Sequence, residues 1–152
     1  GTGGSGETKR VPSKIFIEVM KNTQKKRKCK FFIATGNARE EIKILDQIIN
    51  SDLKEFCVPL NNLNIKEIIP IIKNCNVAIC NDSSFSHLSA ALNIPTIVLM
   101  TDTPLVYGSY SSHMHPILPE GTDTVSHDTL GKDKINPSEI QKKLEEILLR
   151  VS

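Results

Sequence analysis

The chain has 152 residues, enough for one domain with a real core. Hydrophobic residues make up 39% and charged residues 24%, and a net charge of +2 is too small to argue for nucleic acid or an anionic membrane surface. Two Tyr, five Phe and no Trp leave few stacking platforms for single-stranded nucleic acid.

No apolar stretch approaches the ~20 residues of a membrane span, and no signal-peptide pattern is present. Cys29, Cys57, Cys75 and Cys80 are irregularly spaced and none forms a C-x-x-C pair, which reads as reduced thiols of a cytosolic protein rather than disulfides or a metal site.

Residues 1–9, "GTGGSGETK", read as a flexible glycine-rich loop. They lack the G-K-[ST] of a P-loop, and for residues 1–6 a tag remnant competes with a native loop. Pro12 suits the first turn of a helix carrying Ile15, Phe16, Val19 and Met20. That helix runs out in "KKRKCK", whose charge complements a helix C-terminus. Phe31–Ala34 is a buried-strand candidate ending at "TGN". Residues 37–51 form a helix with Ile42, Leu45, Ile48 and Ile49 on one face. "EFCVPL" is a weak strand, and "NIKEIIPIIKNC" a helix that Pro70 should kink.

"NVAICN" is a strand, Ser84–Leu92 a helix, and "PTIVLM" another strand. Residues 101–131 read as an elaborated loop with one short strand near Ile117. His113 and His115 share a face there, but two histidines without a third ligand make no metal site. Asn136, Pro137 and Glu139 carry an N-cap, first-turn proline and capping-box glutamate, opening a helix over 137–150.

Apolar strands alternating with amphipathic helices predict one α/β domain, a Rossmann-like three-layer fold with a parallel sheet covered on both faces. Ligands of such sheets bind beyond the carboxyl ends of the strands. "NDSSFSH" (81–87) and "TGNAREE" (35–41) both fall on that edge. A helix starting near Asp82 or Ser83 points unpaired N–H groups and its positive dipole end outward, a seat for phosphate. Ser83 and Ser84 add hydroxyls, and His87 a ring N–H. Asp82 also suits helix capping. Ser86 beside His87 is no nucleophile pair, because neighbours on a helix diverge and no G-x-S-x-G elbow is present. Glu40, three residues after Asn37, reads first as a capping-box partner and second as a ribose-binding carboxylate.

"KRVP" before a helix, "TGNAREE" and "NDSSFSHLSAALNIPTIVL" together resemble the C-terminal half of glycosyltransferase family nine, the ADP-heptose:lipopolysaccharide heptosyltransferases. The resemblance spans roughly residues 1–105 and favours a native leader. It implies the donor-binding half of a two-Rossmann-domain enzyme. That enzyme would be inverting and metal-independent, without a cofactor. It would transfer a heptose-like sugar from a nucleoside diphosphate to a lipopolysaccharide core or other glycan. It further implies that Lys9, Ser83, Ser84 and His87 bind the donor diphosphate, that Glu40 binds the ribose, and that Asp82 orients the site. The general base and acceptor pocket would lie in the other domain, leaving this chain inactive alone. The setting implied is cytoplasmic, or peripheral at the inner membrane for the full-length protein. Val11 stands where the family has Trp, Ser84 where it has Gly, and Met100–Thr103 replace F-G-P-T. A non-catalytic binding module of the same fold is the alternative.

Overall fold

The computed structural model describes residues 1–151. Five helices alternate with five short parallel strands: α1 (Ser13–Lys26), β1 (Phe31–Ile33), α2 (Arg39–Ile49), β2 (Cys57–Pro59), α3 (Ile65–Lys73), β3 (Ala78–Asn81), α4 (Ser84–Ala91), β4 (Thr96–Leu99), β5 (Met114–Ile117) and α5 (Pro137–Val151). Every strand pair is parallel. β2 pairs with β1, and β3, β4 and β5 pair in that order.

The two sheets are joined by the leader. Gly1 donates to Ile79 O (2.9 Å) and accepts from Asn81 N (2.9 Å), while Thr2 donates to Ala34 O (3.0 Å) on the other side. Thr2, Gly3 and Gly4 are buried. The stretch expected to be a flexible loop is therefore packed between β1 and β3. Gly1 fits there for want of a side chain, since a Cβ would press on Cys80 Sγ at 2.8 Å.

β4 shows why the sheet is covered on both faces. Ile97 and Leu99 point into a core shared with α1, α2 and α5, formed with Val19, Leu45, Ile48, Ile140 and Leu144. Val98 points the other way, with Ala90, Met100 and Met114. α3 packs Ile68 and Ile72 with Ala34 and Leu60, and α4 adds Phe85 and Leu88 to the same cluster. All four β4 residues are buried, so their apolar run has no polar alternation.

Helix starts follow local chemistry. Asn64 Oδ1 caps α3 by accepting from Lys66 N and Glu67 N, and Glu67 accepts from Asn64 N (2.8 Å). Pro70 lies inside α3, where its missing N–H leaves the Lys66 carbonyl without a helical partner. Asn136 Oδ1 accepts from Ser138 N (2.9 Å) at the start of α5. The four cysteines are free thiols, Cys80 buried and the others half-buried. No helix of the described residues is long and apolar enough to cross a membrane.

Candidate functional site

The site lies at the carboxyl end of β3. Asn81, the last β3 residue, is wholly buried. Its amide donates to Thr2 O (3.0 Å) and Gly3 O (3.1 Å), and its Oδ1 accepts from Val11 N (3.4 Å). One side chain thus clamps both ends of the leader that carries Lys9. The Glu41 carboxylate holds it from the opposite side, accepting from Gly4 N (3.0 Å) and Ala38 N (3.3 Å). Arg10 folds back to donate to Gly4 O (3.0 Å). A short turn, Glu7–Lys9, then brings Lys9 over the strand ends.

Asp82 follows as the hub. Thr103 Oγ1 donates to its Oδ2 (2.6 Å), Lys9 Nζ stands 3.7 Å from the same oxygen, and His87 Nε2 stands 3.7 Å from Oδ1. Its side chain is only 6% exposed, against 28% for Lys9 and 39% for His87. The buried carboxylate therefore anchors two cations or potential cations whose outer surfaces face solvent. A buried charge of this kind is tolerated only when paired and hydrogen-bonded, and Asp82 is both.

Ser83 is the N-cap of α4 and does not use its hydroxyl for the cap: Ser86 Oγ accepts from Ser83 N (3.3 Å) and donates to Ser83 O (2.7 Å). Ser86 is thereby a structural residue with both hydroxyl capacities engaged. The buried Ser83 Oγ has no protein partner. Ser84 lies exposed in the first turn, where amides have no intrahelical acceptor. A partnerless hydroxyl, first-turn amides, Lys9 and His87 converge on one helix end.

Glu40 stands apart. It is exposed on the first turn of α2 and makes no hydrogen bond or ion pair among the described residues. The helix begins two residues later than Asn37, so Glu41, not Glu40, fills the capping position, with Ala38 and not Asn37 as its partner. Asn37 is exposed before the helix.

Three contributors were not legible as site residues. Thr103 and Tyr110 both come from residues 101–113. Tyr110 OH is 2.7 Å from His87 Nδ1, and the two rings lie near-parallel, 14° apart with centroids at 5.6 Å. Asn81 ends the strand "NVAICN" and carries no local sign of a clamp. Thr101 Oγ1 donates to Thr8 O (2.7 Å), and Asp102 Oδ1 accepts from Leu130 N (2.8 Å). The Leu130 N–H first, and the Thr8 hydroxyl after it, hold the Asp102 carboxyl below its ordinary range. Among the described residues no group of three His, Cys, Asp or Glu side chains could hold a metal ion.

This α/β fold with parallel sheets is structurally similar to the C-terminal portion of GT-B heptosyltransferases. The chain matches glycosyltransferase family 9 from the crystal structure of the Veillonella parvula protein with a TM-score of 0.77 at 20% identity, over 99% of this chain and 45% of that one. It matches the E. coli ADP-heptose lipopolysaccharide heptosyltransferase II with a TM-score of 0.75 at 21% identity, over 95% of this chain and 44% of that one. The lipooligosaccharide heptosyltransferase 2 of Haemophilus influenzae is 39% identical over 75 residues, 47% of this chain and 22% of that protein. The chain belongs to glycosyltransferase family 9 (heptosyltransferase), whose family model matches residues 2–123. It spans less than half the length of these relatives.

Proposed function

We propose that this chain is the domain of a glycosyltransferase that binds a nucleoside-diphosphate sugar, and that the diphosphate sits between Lys9 and His87 at the start of α4. The observation that carries this reading is the arrangement around Asp82. Lys9 and His87 reach one buried carboxylate from two different elements, beside the partnerless Ser83 hydroxyl. Asp82 does not touch the anion itself. It orients Lys9 and His87, and Thr103 satisfies the rest of its capacity.

ADP is the favoured nucleotide and a heptose-like sugar the favoured cargo. The support is family membership together with a relative whose name specifies ADP-heptose. Glu40, with its carboxylate unengaged on the same edge of the fold, is assigned to the ribose hydroxyls. Departure of the nucleoside diphosphate builds charge on its outer phosphate, and fixed donors aimed there stabilise the transition state by about 3 kcal/mol per donor. Lys9, His87 and the α4 amides supply that neutralisation, so the reaction needs no divalent cation in this account. An acceptor hydroxyl attacking from the face opposite the leaving group inverts the anomeric carbon. The acceptor, a lipopolysaccharide core or another glycan, and the general base belong to the remainder of the protein, which works as a peripheral enzyme at the cytoplasmic side of the inner membrane.

Calorimetry with ADP, AMP, UDP and GDP, with and without EDTA, tests the reading. ADP should bind more tightly than AMP by the worth of its second phosphate, with EDTA making no difference. Equal affinity for AMP and ADP, or loss of binding with EDTA, would overturn it. The replacement of F-G-P-T by Met100–Thr103, where Thr101 and Thr103 are spent on internal bonds, favours as a second reading a binding module without turnover. Sugar transfer from ADP-heptose by the full-length protein separates the two.

A further inference from the structure

Asn81 and Glu41 hold the leader at Thr2, Gly3, Gly4 and Val11, but neither bonds the turn Glu7–Lys9 between those points. Lys9 Nζ stands 3.7 Å from Asp82, an ion pair without a hydrogen bond. A lysine is a compact charge on a flexible stem, so where its ammonium stands depends on how firmly its own backbone is held. Among the described residues, the remaining bonds from residues 5–10 to other elements run to the two ends of one loop, residues 101–102 after β4 and Lys132.

Thr101 is the centre of this contact. It is 1% exposed, and its hydroxyl donates to Thr8 O (2.7 Å), the carbonyl of the peptide that leads into Lys9. Fixing that carbonyl fixes the peptide plane from which the Lys9 side chain departs. The Thr8 hydroxyl bonds the Asp102 carboxylate in turn. Thr8 is therefore held through both its carbonyl and its side chain. The two residues after β4 are themselves anchored across the loop. Gly131 N donates to Thr101 O (2.9 Å), and Leu130 N to Asp102 Oδ1 (2.8 Å). Glycine is required at 131, since a Cβ there would press into the Pro119 ring. Lys132, one residue on, reaches Glu7 at 3.1 Å on the exposed side of the turn.

We propose that Thr101 is a positioning residue for Lys9, and that Asp102 and Lys132 brace the same turn. Asn81 fixes the two ends of the leader, and Thr101 fixes the point between them from which Lys9 reaches the start of α4. The brace ties the Lys9 backbone to the end of β4, a strand buried throughout. Its consequence for a ligand rests on the diphosphate reading above, whereas the brace itself rests on the fold.

Thr101→Val keeps the shape of the side chain and removes its donor, and Thr101→Ser keeps the donor. Each variant is read twice. One reading is amide exchange at Lys9 and Arg10, whose N–H groups close the turn on Gly6 O and Glu7 O. The other is the ratio of ADP to AMP affinity in calorimetry. In Thr101→Val, exchange at both amides should quicken by about two- to tenfold, the factor of one net hydrogen bond, and the ratio should fall by a similar factor. Thr101→Ser should keep both at the parent's values. A general loss of stability weakens both nucleotides alike, so the ratio isolates Lys9. In a Lys9→Ala background Thr101→Val should lower it no further. Parent-like exchange in Thr101→Val overturns the brace. Faster exchange with the parent's ratio retained, or an equal further fall without Lys9, makes Thr101 structural only and overturns its positioning role. Should the parent bind ADP and AMP alike, the diphosphate reading falls, and the exchange rates alone still decide the brace.

Discussion

Lys9 and His87, one from the glycine-rich leader and one from α4, stand 3.7 Å from the two oxygens of a single buried carboxylate, Asp82. Their convergence is the tertiary fact on which an anion site depends. Neither residue is fixed by its own element alone.

Replacing Lys9 or His87 should weaken nucleotide binding and, by leaving the buried Asp82 carboxylate short of a partner, lower stability too. Lys9→Ala and His87→Ala should each cost about 1.5–3 kcal/mol in ADP affinity, the range of charge-assisted hydrogen bonds. Both side chains are partly exposed, but each variant leaves the buried Asp82 carboxylate short of a partner, so thermal midpoints should fall, with the Thr103 bond limiting the loss. Calorimetry with thermal melts reads both quantities. Unchanged affinity in both variants removes them from the site.

Tyr110→Phe isolates a hydroxyl. The variant keeps the ring beside His87 and loses the 2.7 Å bond to Nδ1. Nε2 is the nitrogen nearer Asp82 and the site, and the Tyr110 hydroxyl is the partner that biases which ring nitrogen carries the proton. The variant should lose about 0.5–1.5 kcal/mol of ADP affinity, because Tyr110 is 58% exposed and has little packing to lose. The nitrogen chemical shifts of the His87 ring should report a changed tautomer balance. Identical ring shifts in the two proteins would count against this role.

Asn81→Ala should be the more damaging change. It leaves the carbonyls of Thr2 and Gly3 and the N–H of Val11 without their partner, in a place closed to water. Each buried group left unpaired costs about 1–3 kcal/mol. The leader should loosen with it, so chemical denaturation and ADP affinity should fall together. A stable variant with normal affinity would show that Lys9 is held otherwise.

Asp102 supplies a pH dependence. Its folded carboxyl is held below the ordinary value of 3.8 by the N–H of Leu130 and the Thr8 hydroxyl. Unfolded, it protonates at the higher, ordinary pKa. The stability it contributes is therefore complete above about pH 4 and is lost as pH falls through the lowered folded value. Asp102→Asn should be less stable than the parent at neutral pH, and the difference should shrink toward pH 2–3 in acid melts. Leu130 has a positive φ of 50° and Asp128 one of 74°, so the segment Asp102 tethers is strained and should loosen first in acid. A pH-independent difference would contradict this.

Much of the architecture was legible because single segments encode it. β4 is an apolar run, and Asn136, Pro137 and Glu139 announce the start of α5. What a single segment does not encode is set by contacts between segments. Nothing local marks Asn81 as a clamp, since its partners Thr2, Gly3 and Val11 lie some seventy or more residues away in sequence. Thr103 and Tyr110 lie in an aperiodic stretch, and only the fold carries them to Asp82 and His87. The shift from Asn37 and Glu40 to Ala38 and Glu41 has a similar cause: Glu41 is also drawn to Gly4 of the leader, a partner invisible to helix-capping rules. The leader itself was misjudged as flexible because glycine content does not reveal that two sheets close on it.

The most direct measurement is an amide NMR titration of the chain with ADP beside one with adenosine, which has the same base and ribose and no phosphate. The account predicts shifts at Lys9 and at Ser83 through His87 with ADP, and none at those positions with adenosine. Matching perturbations from both ligands, or an undisturbed start of α4 in the presence of saturating ADP, would contradict it.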